Sequence, residues 1–440
     1  MNKKRIWYDD NASVAKFLLG GIGTGNVSVG SRGQLCDWEI FNTPMKDGKL
    51  PYTFFAIRTE DKDGGYKIRI LESRLHPPYE RSHGYDPTDN TGIPRFESAR
   101  LAGEISRAYV ELQDSEMPVD VSLDAFTPFI PLDAENSGIP AAIIRYKVKN
   151  RTDDKLKVSV AGSLANAVGF SGYSLFKSMK TDGELKNKQR EDTKMKGVFY
   201  TNPALSDDHM TSGSMSFVTT SKDNVTIKPY WFKGGWIDCA HEFWHDFEQD
   251  GMLNIAPESK FTSALTHSND GIRIGSICTD FILDAGEEKE VEFIISWYFP
   301  NRPARWVGHI ICDPDNGRVV KNYYTKLFED AWSVSQYVCK NMTKLEKATD
   351  DFRKAFYKTT LPPVMLDAMA ANITVLRSNT CFRLDDGNFL GWEGCHDHLG
   401  CCEGNCHHVW NYQQTLAFLF PELERTMRRV NFTQETCDDG

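Results

Sequence analysis

The sequence predicts a protein that is mostly β in its first two thirds and helical afterwards, with a large antiparallel β-sandwich at its N-terminal end. Apolar and polar residues alternate with a period of two along much of residues 1–300, and the period lengthens to three or four residues near residue 320. The chain has 440 residues, more than one hydrophobic core normally serves, so two or three domains are expected. We predict a sandwich over 1–300, a linker over 301–318 and an incomplete helical domain over 319–440.

Composition narrows the classes of function. Lysine and arginine number 51 against 61 acidic residues, so the net charge is −10, and no basic tract is present to neutralise phosphates. Nucleic acid is therefore excluded as a partner. No apolar run approaches the ~20 residues of a membrane-spanning helix. The basic N-terminus runs into Trp7 and Asp9 instead of an apolar stretch, which is unlike a secretion signal. With 11 cysteines and no such signal, we predict free thiols and a cytoplasmic location.

The strand predictions depend on alternation. Ile144, Tyr146 and Val148 alternate with charged residues, and a second alternating run over 156–160 follows the polar turn 150–154. This pattern is typical of an antiparallel hairpin. The same alternation recurs over 119–125 and 291–297. Many such strands with turn-rich spacing favour a sandwich over a parallel α/β sheet.

The helix predictions depend on spacings of three and four. One apolar stripe runs over 320–338 and a second over 345–356, and Pro362 and Pro363 stand where a third helix would start. Residues 387–404 are predicted as a loop, 410–419 as helical and Pro421 as the start of a turn. Such helices would pack as hairpins around a common axis, and a closed ring needs more of them. We therefore expect the chain to end within a domain, with a complete small bundle as the alternative.

The richest chemistry lies in the loop 388–412, which contains four histidines, four cysteines and three carboxylates: Glu393, Asp397 and Glu403. Long irregular loops on a rigid scaffold are where sites are built. Glycoside hydrolysis needs two carboxyl groups, and Trp392 and Trp410 could stack against a sugar. Composition alone does not choose among the three carboxylates, which could also cap helices or pair with the histidines.

Metal binding is the second hypothesis for this loop. Its cysteines and histidines could ligate zinc, but there is no C-x2-C pair and Cys401 adjoins Cys402. Buried thiols are favoured instead, and no metal is predicted. His241, Glu242 and His245 form a literal H-E-x-x-H, yet the segment lies in the β region without a third ligand. A short amphipathic helix on the sandwich is the preferred interpretation.

Glycines near the N-terminus, from Gly20 to Gly25, invite a dinucleotide-binding interpretation. The fingerprint would need a third glycine where Asn26 stands, and β residues follow instead of a helix. We predict a glycine-rich strand and turn. A phosphate-binding loop and a G-x-S-x-G elbow are also missing from the sequence, so no cofactor is expected.

Two groups of motifs stand out in the sequence. The first comprises Leu19–Gly25, Gly33-Gln34 and Asp37–Asn42. The second comprises Trp392–Cys395, Cys402–Gly404, Val409–Tyr412 and Leu423–Arg425. Together they resemble glycoside hydrolase family 116, which includes non-lysosomal glucosylceramidase and bacterial β-glucosidases. The resemblance extends over nearly the whole chain. It implies a β-sandwich followed by an (α/α)6 barrel, of which this chain would hold the first part.

The resemblance also implies a retaining mechanism on β-glucosides, either glucosylceramide-like or oligosaccharide, with Glu403 as the nucleophile. The substrate-binding residues implied are Trp392, Trp410, Asn411 and Gln414. Gln414 stands where similar enzymes carry an aspartate, which leaves the sugar open, including xylosides and N-acetylglucosaminides. The acid/base aspartate is expected beyond residue 440, so the fragment alone is expected to be inactive. A carbohydrate-binding or scaffold module is the alternative, and the oligomeric state is open.

Overall fold

The computed structural model describes residues 5–77, 89–173, 179–231, 240–254, 272–303, 318–398, 400–401, 414–434, 436–437 and 439. Within this part the protein is mostly β, as predicted, and two large sheets dominate it. The larger is a nine-stranded antiparallel sheet. In spatial order it consists of β1 Tyr8–Asp9, β8 Ser98–Glu104, β9 Arg107–Gln113, β10 Val119–Phe126, β11 Ala141–Asn150, β20 Glu288–Tyr298, β17 Ser214–Thr219, β16 Lys196–Thr201 and β15 Lys186–Glu191.

The second sheet has six strands, and its β6–β7 pair is parallel. In spatial order these are β18 Asn224–Lys228, β19 Ile274–Leu283, β12 Leu156–Ala165, β5 Phe54–Glu60, β6 Tyr66–Ser73 and β7 Arg95–Phe96. The two sheets pack face to face around aromatic side chains. Phe55 of β5 lies 5.1 Å from the Tyr146 ring of β11 and 5.2 Å from the Phe293 ring of β20. The predicted strands over 119–125 and 291–297 are confirmed as β10 and β20.

The predicted hairpin over 140–160 is wrong. Both strands exist, but β11 pairs with β10 and β20, whereas β12 pairs with β19 and β5 in the other sheet. The polar turn between them is a crossing from one sheet to the other. Buried Asn150 fixes this crossing, because its side-chain amide donates to the carbonyls of Asp154 and Asp284 at 2.8 and 3.0 Å. Asp284 lies in the turn from β19 to β20, which also changes sheets.

Smaller β-elements surround the sandwich. A three-stranded sheet contains β2 Lys16–Leu19, β3 Asn26–Gly30 and β4 Leu35–Glu39, so the predicted glycine-rich strand and turn are confirmed. The remaining strands pair two by two. They are β13 Phe170–Tyr173 with β14 Met179–Thr181, β21 Asn301–Pro303 with β22 Val319–Lys321, β23 Cys381–Arg383 with β24 Phe389–Gly391, and β25 Gly394–Cys395 with β26 Gly400–Cys401.

The described helices are α1 Ala240–Asp250, α2 Ala331–Tyr357, α3 Pro363–Thr374, α4 Leu416–Leu419 and α5 Pro421–Gln434. Helix α1 confirms the predicted amphipathic helix, since Phe243 and Phe247 are buried in the sandwich core. Helix α3 begins at the predicted proline. The turn predicted at Pro421 is wrong, because this proline begins α5.

Helix α2 corrects the first two helix predictions. The stripes over 320–338 and 345–356 belong largely to one helix, which starts only at Ala331. Asp330 accepts a hydrogen bond from the Ser333 amide in a capping box, which fixes that start. The preceding residues form β22 and a 3-10 turn over Tyr323–Lys326, where Tyr324 and Phe328 are buried by tertiary contacts instead of by a helix.

Helix α2 crosses the outer face of the nine-stranded sheet. The Ser335 hydroxyl lies 2.7 Å from that of Ser296 on β20, and the Glu346 carboxylate bonds Arg145 on β11 and Arg107 on β9. At its start, the Ala331 amide donates to the Ser214 hydroxyl on β17 at 2.9 Å. The helix therefore lies across strands from both halves of the sheet. Both faces of the sheet are covered, which explains why β11 is buried on both sides.

Candidate functional site

The loop singled out by the sequence is carried by the hairpin β23–β24. Trp392 follows β24 directly, and its amide donates to the Thr380 carbonyl at 2.8 Å. Its indole is 3% exposed and packs 5.0 Å from the Phe382 ring. Trp392 therefore belongs to the packing of the hairpin in this structure, and its role in binding a sugar stays a prediction.

Two backbone-directed contacts join this hairpin and loop to the sandwich. The side-chain amide of Asn379, just before β23, donates to the carbonyls of Glu39 and Thr43 at 3.0 and 2.9 Å. The Lys46 amide donates to the Asp397 carbonyl at 3.0 Å. The loop is thereby fixed to the turn that follows β4, more than 300 residues away in sequence. Periodicity gave no signal for Asn379, which lies in a turn.

The turn after β4 is itself held by two buried carboxylates. Glu39 is 1% exposed and accepts hydrogen bonds from the amide of Met45 at 3.0 Å and the ammonium of Lys46 at 2.9 Å. Asp37 accepts from the Lys16 ammonium at 2.9 Å and from the Asp47 amide at 2.7 Å. Both carboxylates accept hydrogen bonds from backbone amides of this turn. Their role is therefore structural, since they stabilise the turn to which the loop is attached.

The glycine-rich turn after β2 also reaches the hairpin. A Cβ atom on Gly23 would lie 2.8 Å from the backbone nitrogen of Arg383, and Gly23 has φ +72°. Only glycine combines that backbone conformation with so close an approach. The residues of the first motif group, Gly23 and Glu39, therefore contact the hairpin that leads into the second motif group.

Among the described residues, three arginines in or near the hairpin make no ion pair. The guanidinium of Arg302 lies 4.0 Å from the Phe382 ring centroid, and that of Arg383 lies 3.5 Å from the Tyr323 ring centroid. Arg377 is 1% exposed between the rings of Phe17 and Phe129.

Burial lowers the pKa of Arg302 to about 10 and that of Arg377 to about 9, so both guanidinium groups stay protonated at neutral pH. In the described part of the chain no carboxylate lies within ion-pair distance of these three guanidinium groups, although Glu422 and Glu135 still interact electrostatically with Arg383. The sequence analysis missed all three residues, since isolated arginines carry no motif.

The remaining predicted site residues are distributed as follows. Glu403, Trp410 and Asn411 lie outside the described residues. Gln414 is exposed in the turn before α4. Of the loop residues that could ligate metal, His396 and His398 are exposed and Cys395 Sγ lies 3.6 Å from the Thr380 hydroxyl. Among the described residues, no three His, Cys, Asp or Glu side chains are grouped as a metal site would need.

The H-E-x-x-H motif on α1 has a structural explanation. His241 and His245 are both exposed, with ring centroids 6.0 Å apart. The Glu242 carboxylate, however, pairs with the ammonium of Lys228, which is 1% exposed and also bonds Asp246 at 2.8 Å. Glu242 therefore compensates a buried charge and is not poised as a general base.

The family model for the N-terminal domain of glycosyl-hydrolase family 116, described as beta-glucosidase 2, matches residues 17–345. This chain belongs to that family. The matched range includes both large sheets except the edge strand β1, the glycine-rich turn, the buried carboxylates Asp37 and Glu39, and the first half of α2.

Solved structures give weaker similarity. One is a protein assigned as a kojibiose phosphorylase from the human microbiome, with a TM-score of 0.32 and 11% identity over 84% of this chain and 34% of that chain. Another is a family GH92 alpha-mannosidase from Bacteroides thetaiotaomicron, with a TM-score of 0.32 and 11% identity over 86% of this chain and 42% of that one. Similarity at this level supports no conclusion. The chain spans well under half the length of either structure.

In the part of the chain that the structure describes, no helix has the length and apolar character needed to cross a bilayer.

Proposed function

We propose that this chain is the N-terminal part of a retaining β-glycoside hydrolase that acts on β-glucosides, with Glu403 as its nucleophile. Family membership supports the reaction class. The observation that carries the proposal is the attachment of the loop to the sandwich by Asn379 and by the backbone bond from Lys46 to Asp397. These contacts join the segment around Glu39 to the described residues 379–397, which precede Glu403 in sequence.

In the proposed reaction, the Glu403 carboxylate attacks the anomeric carbon as the bond to the leaving oxygen breaks. A covalent glycosyl-enzyme forms, and water then hydrolyses it with net retention. The acid/base aspartate is proposed to lie outside these 440 residues. Trp392, Trp410, Asn411 and Gln414 are the proposed contacts to the sugar.

The domain organisation is part of the same proposal. Residues 1–300 would form the sandwich domain, 301–318 a linker, and 319–440 the start of an (α/α)6 barrel that functions in the cytoplasm. Helices α3 and α5 already share a core with the hairpin strands, formed by Ile373, Phe389 and Leu423 among others. A barrel built on this core would place its loops beside the sandwich.

Covalent labelling tests the nucleophile. 2,4-Dinitrophenyl 2-deoxy-2-fluoro-β-D-glucoside has a leaving group that needs no acid, and the complete protein that contains this chain is treated with it. We expect mass spectrometry to find one fluoroglucosyl group on the peptide containing Glu403. Glu403→Gln should abolish this labelling, and Glu393→Gln, a matched change in the same loop, should preserve it.

Labelling that survives Glu403→Gln would refute the assignment of the nucleophile. If a β-glucoside binds the chain, and the complete protein containing it shows neither labelling nor turnover, the alternative of a carbohydrate-binding or scaffold module is supported instead.

A further inference from the structure

Two histidines stand about one helical turn apart on the exposed side of helix α1, Ala240–Asp250. His241 and His245 are both exposed, and their ring centroids lie 6.0 Å apart with planes 10° from parallel. Residues at positions i and i+4 are neighbours on one face of a helix, and this pair is the metal-binding half of the H-E-x-x-H motif. The spacing therefore allows both imidazoles to reach one ion.

The helix that carries this pair is fixed to the six-stranded sheet. The buried Phe243 ring packs 4.7 Å from the Trp231 ring and 5.4 Å from the Phe54 ring of β5, measured between centroids. The Lys157 ammonium of β12 donates to the Asp250 carbonyl at 2.9 Å. Ligands on a rigid helix are held more precisely than ligands on a loop, so little order is lost when they bind an ion.

The observed geometry is close to that of a chelating pair. Metal–nitrogen bonds of about 2.0–2.1 Å place two imidazole centroids about 4.5–5 Å apart on one ion. The rings of His241 and His245 must therefore approach each other by about 1 Å, which rotation of two exposed side chains supplies. Gln249 Nε2 lies 2.9 Å from His245 Nε2, so this exposed amide must turn away when the ion binds that nitrogen.

The charge of α1 favours a cation over an anion. The helix carries four carboxylates and neither lysine nor arginine. Glu242 and Asp246 pair with Lys228 of β18, a single cation shared by two carboxylates. Because Glu242 is committed to this pair, the two histidines can hold an ion without a general base beside it.

The ligand type selects the class of ion. Imidazole nitrogen is preferred by Cu²⁺, Ni²⁺ and Zn²⁺, whereas Mg²⁺ and Ca²⁺ prefer oxygen ligands. In the described part of the chain no third His, Cys, Asp or Glu side chain completes a group with the pair. Water would therefore occupy the remaining coordination positions.

We propose that His241 and His245 form a surface site for one divalent transition-metal ion that prefers imidazole. The bound ion links two successive turns of α1, so it stabilises this helix against opening. The site lies on the sandwich and its role is structural. It is separate from the glycoside chemistry proposed above.

Hydrogen exchange followed by mass spectrometry over residues 240–250 tests the proposal, with the untagged complete protein that contains this chain. Titration with Ni²⁺ should slow exchange in α1 by roughly tenfold at about ten times the dissociation constant. Mg²⁺ at the same concentration should have no effect. The readout is local because cysteines and other histidines of the chain could also bind Ni²⁺.

His241→Ala and His245→Ala should each weaken the Ni²⁺ affinity measured in this way by at least about tenfold. Loss of a residue that only orients a metal ligand already costs about 10–100-fold, and here a ligand itself is lost. His209→Ala is the matched control, since it removes a partly exposed imidazole that lies beside Asp182 and not on α1. It should leave the response of α1 unchanged.

A rescue variant tests the spacing. Gln249 is exposed and stands four residues after His245, so Gln249→His combined with His241→Ala rebuilds a pair one turn further along the helix. The response of α1 to Ni²⁺ should return in this double variant. Gln249→Ala alone removes the competing amide and should raise the affinity roughly two- to fivefold.

Three results would overturn the proposal. The first is unchanged exchange in α1 on addition of Ni²⁺, and the second is equal slowing in His241→Ala and the parent protein. The third is a double variant that keeps the parent circular dichroism but does not recover the response. Because both histidines are exposed, their replacement by alanine should leave the fold intact.

Discussion

Replacing Glu346 by glutamine should loosen helix α2 from the nine-stranded sheet. The Glu346 carboxylate accepts hydrogen bonds from Arg145 at 2.6 Å and Arg107 at 2.9 Å, and both arginines are buried. Burial acts to raise the pKa of Glu346, but the bonds from Arg145 and Arg107 outweigh it and hold the pKa below its ordinary value.

The expected loss of stability depends on the ion pairs that Arg145 and Arg107 keep after the substitution. Removing one member of a fully buried ion pair costs about 3–5 kcal/mol. The Glu346 side chain is 27% exposed, and Asp124 and Glu292 still bond the two arginines after the substitution. We therefore expect Glu346→Gln to lower the free energy of local unfolding by about 2 kcal/mol. This corresponds to roughly 30-fold faster hydrogen exchange in the C-terminal half of α2.

The stability difference between the parent chain and Glu346→Gln should also depend on pH. A carboxylate whose folded pKa is depressed contributes stability above its unfolded pKa, about 4.3, and loses that contribution as pH falls toward the folded value. The difference between the parent chain and Glu346→Gln should therefore be complete at pH 7 and shrink between about pH 5 and 3.

Asp351→Asn is the matched control, since it removes an exposed carboxylate of the same helix and should change exchange by less than about threefold. Hydrogen exchange followed by mass spectrometry over residues 331–357 gives all these values. An effect of Glu346→Gln no larger than that of the control, or one that stays constant down to pH 3, would refute the ion-pair explanation.

Two other predictions concern the support of the loop. Asn42→Ala should destabilise the chain by about 2–4 kcal/mol in thermal unfolding. The reason is that buried Asn42 bonds the carbonyls of Phe299 and Asn301 and the side-chain amide of Asn322. The control Asn11→Ala, at an exposed position, should leave stability unchanged, and equal effects of the two substitutions would contradict this role of Asn42. Gly23→Ala should raise hydrogen exchange in the hairpin over 381–391 through its clash with the Arg383 backbone, whereas Gly64→Ala, at a similar φ of +84° but with open space around it, should not.

The sequence predicted individual strands well and their partners poorly. Alternation identified β10, β11 and β20 because each strand buries one set of side chains between the sheets. It could not tell that β11 and β12 belong to different sheets, since a hairpin turn and a sheet-to-sheet crossing can have the same polar composition. The decisive contact, from Asn150 to Asp284, joins residues more than 130 positions apart.

Local sequence patterns also failed to predict the start of helix α2 and some residues near the site. Tyr324 and Phe328 continue the apolar spacing of α2, yet they are buried by the sheet and not by helical periodicity, so the helix was predicted to begin too early. At the site, the motifs carried the family resemblance, but they did not predict that the glycine turn and the segment around Glu39 contact residues 379–383. Asn379 and Arg377 could not be found, because their importance comes only from long-range packing.

The central position of β20 has a consequence for how the chain folds during synthesis. Strands β8 to β11 leave the ribosome early, but β11 can complete its pairing only when β20, residues 288–298, has followed. Helix α2 can dock only after that, because it lies across strands from both halves of the sheet. One edge of β11 therefore stays unpaired until about 140 further residues have been synthesised. During this interval the edge of β11 that later pairs with β20 is open to non-native strand pairing.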